Sequence, residues 1–374
     1  MDILIHKDTL IEALQVITPI TDKSSTKPVL SNFLLTTVEG QSNQVEFLAT
    51  DYEISIRGRY AAKVSKPGAI CVSAKKLLEI CREFLADEVK ITADDQLWVT
   101  VEAGSARLRM PSLEIGLYPR METNTLPQVF SIHPKDLREA IDHTLFSIQL
   151  NEARKTLMGV CLNVSTGKQA RWISTDGHRL AQFRCQVAEQ SLTAPPEVIV
   201  PKKSLTEIRK VLEGLDEQVT VRFDERSLQL ETPSTVVLTR LIEGKFPNVD
   251  PIIPKDNDKT LLVDRERFTN ALKIISLMSG EKIKPVKLSI ENGQMKLESE
   301  RMEFGDASDQ ISANYNGEPM QIGFNARYLL EVLSVLQAGQ QVSLSFKGAL
   351  NPCLITVPGD ERFLSVIMPL RIEW

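Results

Sequence analysis

The residues with the most obvious chemical potential are Asp176-Gly177-His178, where a carboxylate two positions from an imidazole could orient it as a general base. With Glu243 as a further acid, the same group could serve a metal-assisted nuclease. The surrounding sequence argues against both. Only four histidines are present (His6, His133, His143 and His178), and no G-x-S-x-G, H-E-x-x-H or G-x-x-x-x-G-K-[ST] pattern accompanies them. Asp-Gly reads instead as a turn, with Arg179-Leu180-Ala181 starting a strand. The five cysteines, Cys71, Cys81, Cys161, Cys185 and Cys353, are widely spaced and form no C-x-x-C pair. Neither a disulfide framework nor a zinc site is expected, and the cysteines are assigned to the core.

A second chemistry is anion binding. Lys75-Lys76 and Lys202-Lys203 fall at the starts of expected helices, where the helix dipole disfavours a cation by roughly 0.3 to 1 kcal/mol. Such pairs make sense if a phosphate lies in front of the helix, held by lysines and backbone N-H groups together. The whole chain has 44 Lys+Arg against 49 Asp+Glu, a net charge of -5, so it is no general polycation. Contact with nucleic acid must be local.

The elements that position these residues are repeated. Ile5-His6-Lys7-Asp8-Thr9-Leu10, Ile132-His133-Pro134-Lys135-Asp136-Leu137 and Val263-Asp264-Arg265-Glu266-Arg267-Phe268 align without gaps. A second set, beginning at Val72, Val200 and Phe324, repeats in the same phase. Together they imply three copies of one domain, expected over residues 1–125, 126–253 and 254–374. Turn-like runs at Glu122-Thr123-Asn124-Thr125 and from Pro247 to Asp258 mark the boundaries.

Each marker is a short strand entering a helix. Leu10, Ala13, Leu14 and Ile17 have the spacing of one apolar helical stripe, as do Phe268, Ala271, Leu272 and Ile275. Leu77, Ile80 and Phe84 match Leu205, Ile208 and Leu212, and Ser73 and Asn325 are placed as N-caps. Alternating stretches such as Val45 to Thr50, Val219 to Phe223 and Val342 to Phe346 predict antiparallel strands. The fold class is therefore α+β, with two strand-helix-strands units per domain. No run of about 18 apolar residues occurs and no export signal is evident, so a cytoplasmic protein without a membrane span is expected.

The in-phase repeat, Ser174-Thr175-Asp176-Gly177-His178-Arg179-Leu180-Ala181, Leu241-Ile242-Glu243-Gly244-Lys245-Phe246-Pro247 and Val366-Ile367-Met368-Pro369-Leu370-Arg371 together resemble the bacterial sliding-clamp family, the DNA polymerase III beta subunits. The resemblance covers the whole chain. It implies three clamp domains per chain and a ring-shaped head-to-tail homodimer, with helices lining the hole and antiparallel sheets outside. It further implies a noncatalytic processivity factor that encircles duplex DNA, slides on it without reading sequence, and needs no cofactor or metal. Implied partners are a second copy, double-stranded DNA, the replicative polymerase alpha subunit and the clamp loader. Other polymerases and mismatch-repair or ligase proteins carrying a clamp-binding motif complete the set.

By the same resemblance, a peptide pocket is formed by Leu157, Thr175, Gly177, His178, Arg179, Leu180, Pro247, Val366, Met368, Pro369, Leu370, Arg371 and Ile372. Leu, Met and Pro would make the apolar slot, and His178, Arg179 and Arg371 polar contacts at its edge. DNA contact is assigned to Lys23, Lys75, Lys76, Arg154, Lys155, Lys202 and Lys203. Ring closure is assigned to Arg107, Leu108 and Met110 meeting Leu277 and Met278, with Arg107 needing an acid across the seam. The chain departs from the family in three places. Lys155-Thr156 stand where two tyrosines often follow Arg154, Pro251 stands where the pocket rim is often Arg, and Glu373-Trp374 extend the usual end. A DNA-processing enzyme and a peptide-binding scaffold without a DNA role are the rival readings.

Overall fold

The sequence repeat is a repeat of helix starts. In the computed structural model His6 and His133 stand before the first and third helices, and their Nδ1 atoms accept backbone N-H bonds from Asp8 (3.4 Å) and Lys135 (3.2 Å). Asp264 does the same for Arg267 at 2.8 Å. The second marker set caps likewise, through Ser73 to Lys76 (3.3 Å) and Asn325 to Arg327 (3.1 Å). Among the described residues the six α-helices are α1 (Lys7–Ile17), α2 (Ala74–Glu83), α3 (Pro134–Leu145), α4 (Lys202–Val211), α5 (Arg265–Leu277) and α6 (Ala326–Ser334). The structure describes residues 1–21, 27–119, 126–165, 168–191, 197–278, 284–299 and 305–371. Lys23, Ile372, the boundary run 122–125 and the Glu373-Trp374 extension lie outside the described residues.

The apolar stripes face inward as expected. Leu10, Ala13, Leu14 and Ile17 are fully buried, as are Phe268, Ala271, Leu272 and Ile275. In α2 the buried line is Ala74, Leu77, Leu78 and Cys81, and Ile80 is only half-buried. All five cysteines are buried, and burial pushes the Cys71, Cys81 and Cys185 thiols up to about 12, away from nucleophilic use.

The chain divides into two compact units, Met1–Lys135 with Ala188–Thr193 and Lys203–Leu241, and Asp136–Val187 with Ala194–Lys202 and Ile242–Trp374. This division runs through the middle repeat, away from the boundaries expected near 125 and 253. The reason is that each unit contains a sheet that runs unbroken from one repeat into the next.

In the first unit a nine-stranded antiparallel sheet joins Thr235–Arg240 of the middle repeat to Ile54–Ala61 of the first, with Val237 opposite Ile56. Its order is Ala188–Ser191, Gln128–Ile132, Val219–Phe223, Ser227–Glu231 and Thr235–Arg240, then Ile54–Ala61, Gln44–Thr50, Asn32–Thr37 and Ala69–Ser73. In the second unit an eight-stranded sheet joins Arg179–Gln186 to Asp360–Ile367, with Ala181 opposite Ser365.

Two sheets remain. The first unit also holds a five-stranded sheet ordered Lys63–Lys66, Asp2–His6, Glu88–Ala93, Trp98–Ala103 and Ala106–Pro111. The second holds a four-stranded sheet ordered Ser308–Ser312, Gln294–Ser299, Pro285–Glu291 and Met320–Asn325. In strand order these are the two halves of the nine-stranded sheet. Each ends on an edge strand, Ala106–Pro111 or Ser308–Ser312, whose counterpart in the wide sheet is paired.

Candidate functional site

The Asp176 turn is built by its own carboxylate. Oδ1 accepts the backbone N-H groups of His178 (2.9 Å) and Arg179 (3.0 Å), and Oδ2 takes the Arg179 Nε at 3.1 Å. Thr175 Oγ1 accepts the N-H of Gly177 at 3.1 Å and donates to the Arg179 carbonyl at 2.6 Å. Gly177 has φ of +89°, which a glycine adopts without Cβ strain. The carboxylate is thus spent on the turn and does not orient the exposed His178 ring. Among the described residues no group of three or more His, Cys, Asp or Glu is placed to hold a metal ion.

Beside this turn Leu157, Cys161, Ile173, Leu180, Ile199, Phe246, Val249 and Val366 form one buried cluster, with Ile242, Ile253, Leu354 and Leu364 half-buried against it. Three of the expected pocket residues, Leu157, Leu180 and Val366, thus belong to one buried cluster. Met368 is 39% exposed above it. Its N-H donates to the His178 carbonyl at 2.9 Å, while the Leu370 N-H reaches Gly323 at 2.8 Å. Pro369 and Leu370 are half-buried, and Pro247, Pro251 and Arg371 are exposed at the rim. Sequence reasoning named none of Ile173 and Ile199, which lie in strands, or Val249 and Ile253, which flank the short Asp250–Ile252 turn, because an apolar residue signals only a core until its distant neighbours are known.

Arg179 requires a correction. It was expected to offer a polar contact at the pocket edge, but its side chain is 6% exposed and turned inward. It pairs with Asp176 and with Glu331 of α6, donates to the Phe146 carbonyl, and lies 4.4 Å over the Tyr328 ring. It is a strut that ties the turn to α6. A cleft of about 560 Å³ opens next to it, lined by Arg154, Gly177, His178, Arg327 and Tyr328 among others.

The basic residues divide. Arg154 and Lys155 are exposed, with Arg154 in non-helical backbone inside the short Glu152–Leu157 turn. Lys75 and Lys76 are half-exposed and both reach Glu79, at 3.5 and 3.0 Å. Lys203 was expected to face a phosphate, yet its ammonium contacts the buried Asp51 carboxylate. Its charge has an internal partner, as the helix-start argument alone would not reveal. Lys202 remains exposed.

Of the residues assigned to ring closure, Arg107 and Leu108 lie on the edge strand Ala106–Pro111. Within its own sheet Arg107 pairs with Glu102 of the neighbouring strand at 3.3 Å, and both side chains are exposed. Met110 is buried in its own sheet, whereas Leu277 is 79% exposed at the end of α5 and Met278 half-buried.

Three tandem repeats whose half-sheets are joined edge to edge within the chain define the clamp class of DNA-associated protein. Family models agree in order along the chain. The N-terminal domain of the DNA polymerase III beta subunit matches residues 1–122, the central domain 131–248 and the C-terminal domain 250–371. A beta sliding clamp of Caulobacter vibrioides is 33% identical over 378 residues, and one from Pseudomonas aeruginosa 31% over 375, each covering 100% of both chains. Among solved structures, the Bartonella birtlesii sliding clamp bound to griselimycin superposes with a TM-score of 0.94 at 30% identity, covering 100% of both chains. The chain belongs to the DNA polymerase III beta subunit family, the bacterial beta sliding clamps.

Proposed function

We propose that two copies of this chain close head to tail into a ring that encircles duplex DNA, slides along it and tethers the replicative polymerase without catalysing any reaction. The observation that carries this reading is the pair of unmatched half-sheets. An open edge strand is a template for pairing, and five strands plus four reproduce the nine-stranded sheet already formed within the chain. Because each half-sheet belongs to a different end of the chain, the contact is heterologous, and it must close for the assembly to stay finite.

The repeat also supplies the register. Leu108 pairs with Val101 and Val101 with Ile91, the same ladder position that Val237 occupies through Leu230 and Val221. Ser308 pairs with Glu298 as Arg57 pairs with Leu48. Copying the Val237–Ile56 register sets Leu108 of one copy opposite Ala307 of the other, Arg107 opposite Ser308 and Arg109 opposite Asp306. An Arg-bearing strand thereby meets an Asp-bearing one, with Leu277 and Met278 as adjoining apolar contacts.

Phosphate contacts for sliding are assigned to Lys23, Lys75, Lys76, Arg154, Lys155 and Lys202. The peptide slot is assigned to Leu157, Thr175, Gly177, His178, Leu180, Pro247, Val366, Met368, Pro369, Leu370, Arg371 and Ile372. Its partners are clamp-binding motifs of the polymerase alpha subunit, the clamp loader, other polymerases, and mismatch-repair or ligase proteins, in the cytoplasm. The domain limits we assign are 1–125, 126–253 and 254–374. The test is retention: protein loaded on a closed DNA circle should stay in high salt and leave when the circle is cut. Loss from the intact circle, or retention on the linear form, would refute threading.

A further inference from the structure

On the eight-stranded sheet Arg171 and Arg184 stand directly opposite each other on neighbouring strands. One step along the next ladder, beyond the Phe183–Phe363 pair, Arg184 faces Arg362. Like charges opposed across strands are destabilising unless something answers them. Arg362 is answered by Glu139 at 2.7 Å and Asp360 at 2.9 Å, and Arg171 by Asp250. Arg184 and Lys255 are both exposed, and neither has a carboxylate within ion-pair distance among the described residues. Asp250 records how near they are. A hydrogen bond from Arg171 holds its carboxyl below the usual carboxylate range, against burial, and the charges of Lys255 and Arg184 add to the effect. The next acid along the row, Glu197, lies two strands from Arg171, beyond Asn163. One acid, Asp250, thus serves three cations.

This row is peculiar to the second seam. With Thr50 aligned on Thr175, the places of Arg171 and Arg184 are taken in the first seam by Glu46 and Arg59, an ion pair at 3.0 Å. In the third repeat they are taken by Lys296 and Gln310. The row also borders the cluster assigned to the peptide slot. Side chains alternate along a strand, so Leu180, Gln182 and Arg184 share one face, opposite to Phe183, which packs on His143 of α3. Leu180 belongs to that cluster, as does Ile173, two positions from Arg171 on the same face, and Leu364 is half-buried against it. Arg184 is four strand positions from Leu180, about 14 Å, which about four residues of extended peptide would cover.

We propose that Arg184 and Lys255, with Arg171 beside them, bind the carboxylates of an acidic stretch in a partner protein, about four residues from the part of its clamp-binding motif seated in the slot. The inference rests on the peptide-slot reading and adds a charged extension that discriminates among partners sharing the motif. Such a strip favours acidic flanks and penalises basic ones, which is how charge confers specificity at an exposed contact.

The experiment is fluorescence anisotropy with the full-length protein and a labelled peptide carrying the clamp-binding motif of the polymerase alpha subunit. The motif is used alone, or extended on either side by four glutamates or by four glutamines. At about 50 mM salt, glutamates on one side should tighten binding about fivefold over glutamines, and the gain should fade near 0.5 M salt. Arg184→Gln with Lys255→Gln should erase the gain and still bind the bare motif as the wild type does. Arg184→Lys with Lys255→Arg should keep it. If the bare motif binds wild-type protein but glutamates on neither side improve it, the patch is overturned and the slot stands. A gain that persists in the glutamine variant overturns the patch too, because other residues would supply it. Wild-type protein that fails to bind even the bare motif would sink the slot reading together with the patch.

Discussion

The two seams within the chain share one backbone and differ in their side chains. In the first, Thr50-Asp51-Tyr52-Glu53 makes the same turn as Thr175-Asp176-Gly177-His178 in the second. Asp51 accepts from Glu53 and Ile54 at 2.9 and 2.8 Å, as Asp176 does from His178 and Arg179. Beyond the turn they diverge. The cross-strand pair is Gly58 with Thr235 in one seam and Phe183 with Phe363 in the other. The second seam stacks His143 against both rings and adds an Arg362–Glu139 pair at 2.7 Å. The first leaves a cavity of about 380 Å³ lined by Val16, Tyr60, Glu207, Ser234 and Thr235 among others.

Their apolar slots differ as well. Both turns sit beside a cluster under the equivalent Gly-x-aromatic-Pro segments, Gly116 to Pro119 and Gly244 to Pro247. In the first, Val29, Leu30, Leu48, Cys71 and Tyr118 pack together, and the Tyr118 hydroxyl spans to the carbonyls of Asn32 (3.3 Å) and Leu48 (3.2 Å). Phe246, at the place of Tyr118, carries no hydroxyl, and the register puts Met368 at the place of Arg240 in the first seam. Register makes a seam, whereas side chains decide whether the seam can receive a peptide.

The comparison extends to the third seam, proposed between copies, and the largest effect is expected there. Leu108→Glu places a charge in a strand interface and should turn dimer into monomer in analytical ultracentrifugation, with loss of retention on circles. A dimer that persists would mean the intermolecular seam does not copy the internal ones.

Next comes the charge inside each seam. Arg179→Ala strands the 15%-exposed Asp176 carboxylate without a counter-ion and leaves Glu331 to Arg327 alone, and should cost about 3 kcal/mol in chemical denaturation. Lys203→Ala should cost less than about 1 kcal/mol, because that ammonium is half-exposed and Asp51 keeps its two backbone donors. Equal losses would show that the seams are stapled alike. In peptide titrations, Met368→Ala should weaken a clamp-motif peptide by roughly tenfold or more without affecting the dimer. Arg240→Ala, its counterpart in the first seam, should leave that affinity unchanged.

A smaller difference concerns acid. Burial holds the His143 imidazole below its usual pKa, against opposing effects from the Glu139 carbonyl and nearby acids, including Asp142 and Asp360. The unfolded chain then binds the proton more readily, so this group stabilises above about pH 6.5 and the contribution fades as pH falls below that value. Val16, its counterpart in the first seam, cannot titrate. Melting temperatures from pH 7 to 5 should fall less steeply in His143→Phe than in the wild type, and an unchanged slope would remove His143 from the account. The smallest effect is at the turns. Tyr52 holds φ of +74°, so Tyr52→Gly should relieve about 1 kcal/mol of strain and Gly177→Ala should add about as much. Gly177 has open space around its Cβ position, so backbone strain alone is measured there.

Much of this was legible from residue order. The apolar stripes of α1 and α5, the strand periods, the N-caps Ser73 and Asn325, and the Asp-Gly turn all depend on neighbours within a few positions, where spacing is a direct record of geometry. The slot was legible only in part. Leu157, Leu180 and Val366 were named by resemblance, whereas Ile199 and Ile253 pack with them in a cluster that no local pattern encodes. Arg179 and Lys203 were placed on surfaces because a cation reads as solvated until its acid is known. Their acids, Glu331 and Asp51, are each 152 positions away.

By itself the sequence determined a threefold α+β repeat and where its helices start, since periodicity and capping are set by adjacent residues. Tertiary structure decided which strand edges are satisfied and which remain open, and which charges are already neutralised. Those outcomes depend on pairings between distant segments, and hydrogen bonds across a seam are invisible until the two strands are brought side by side.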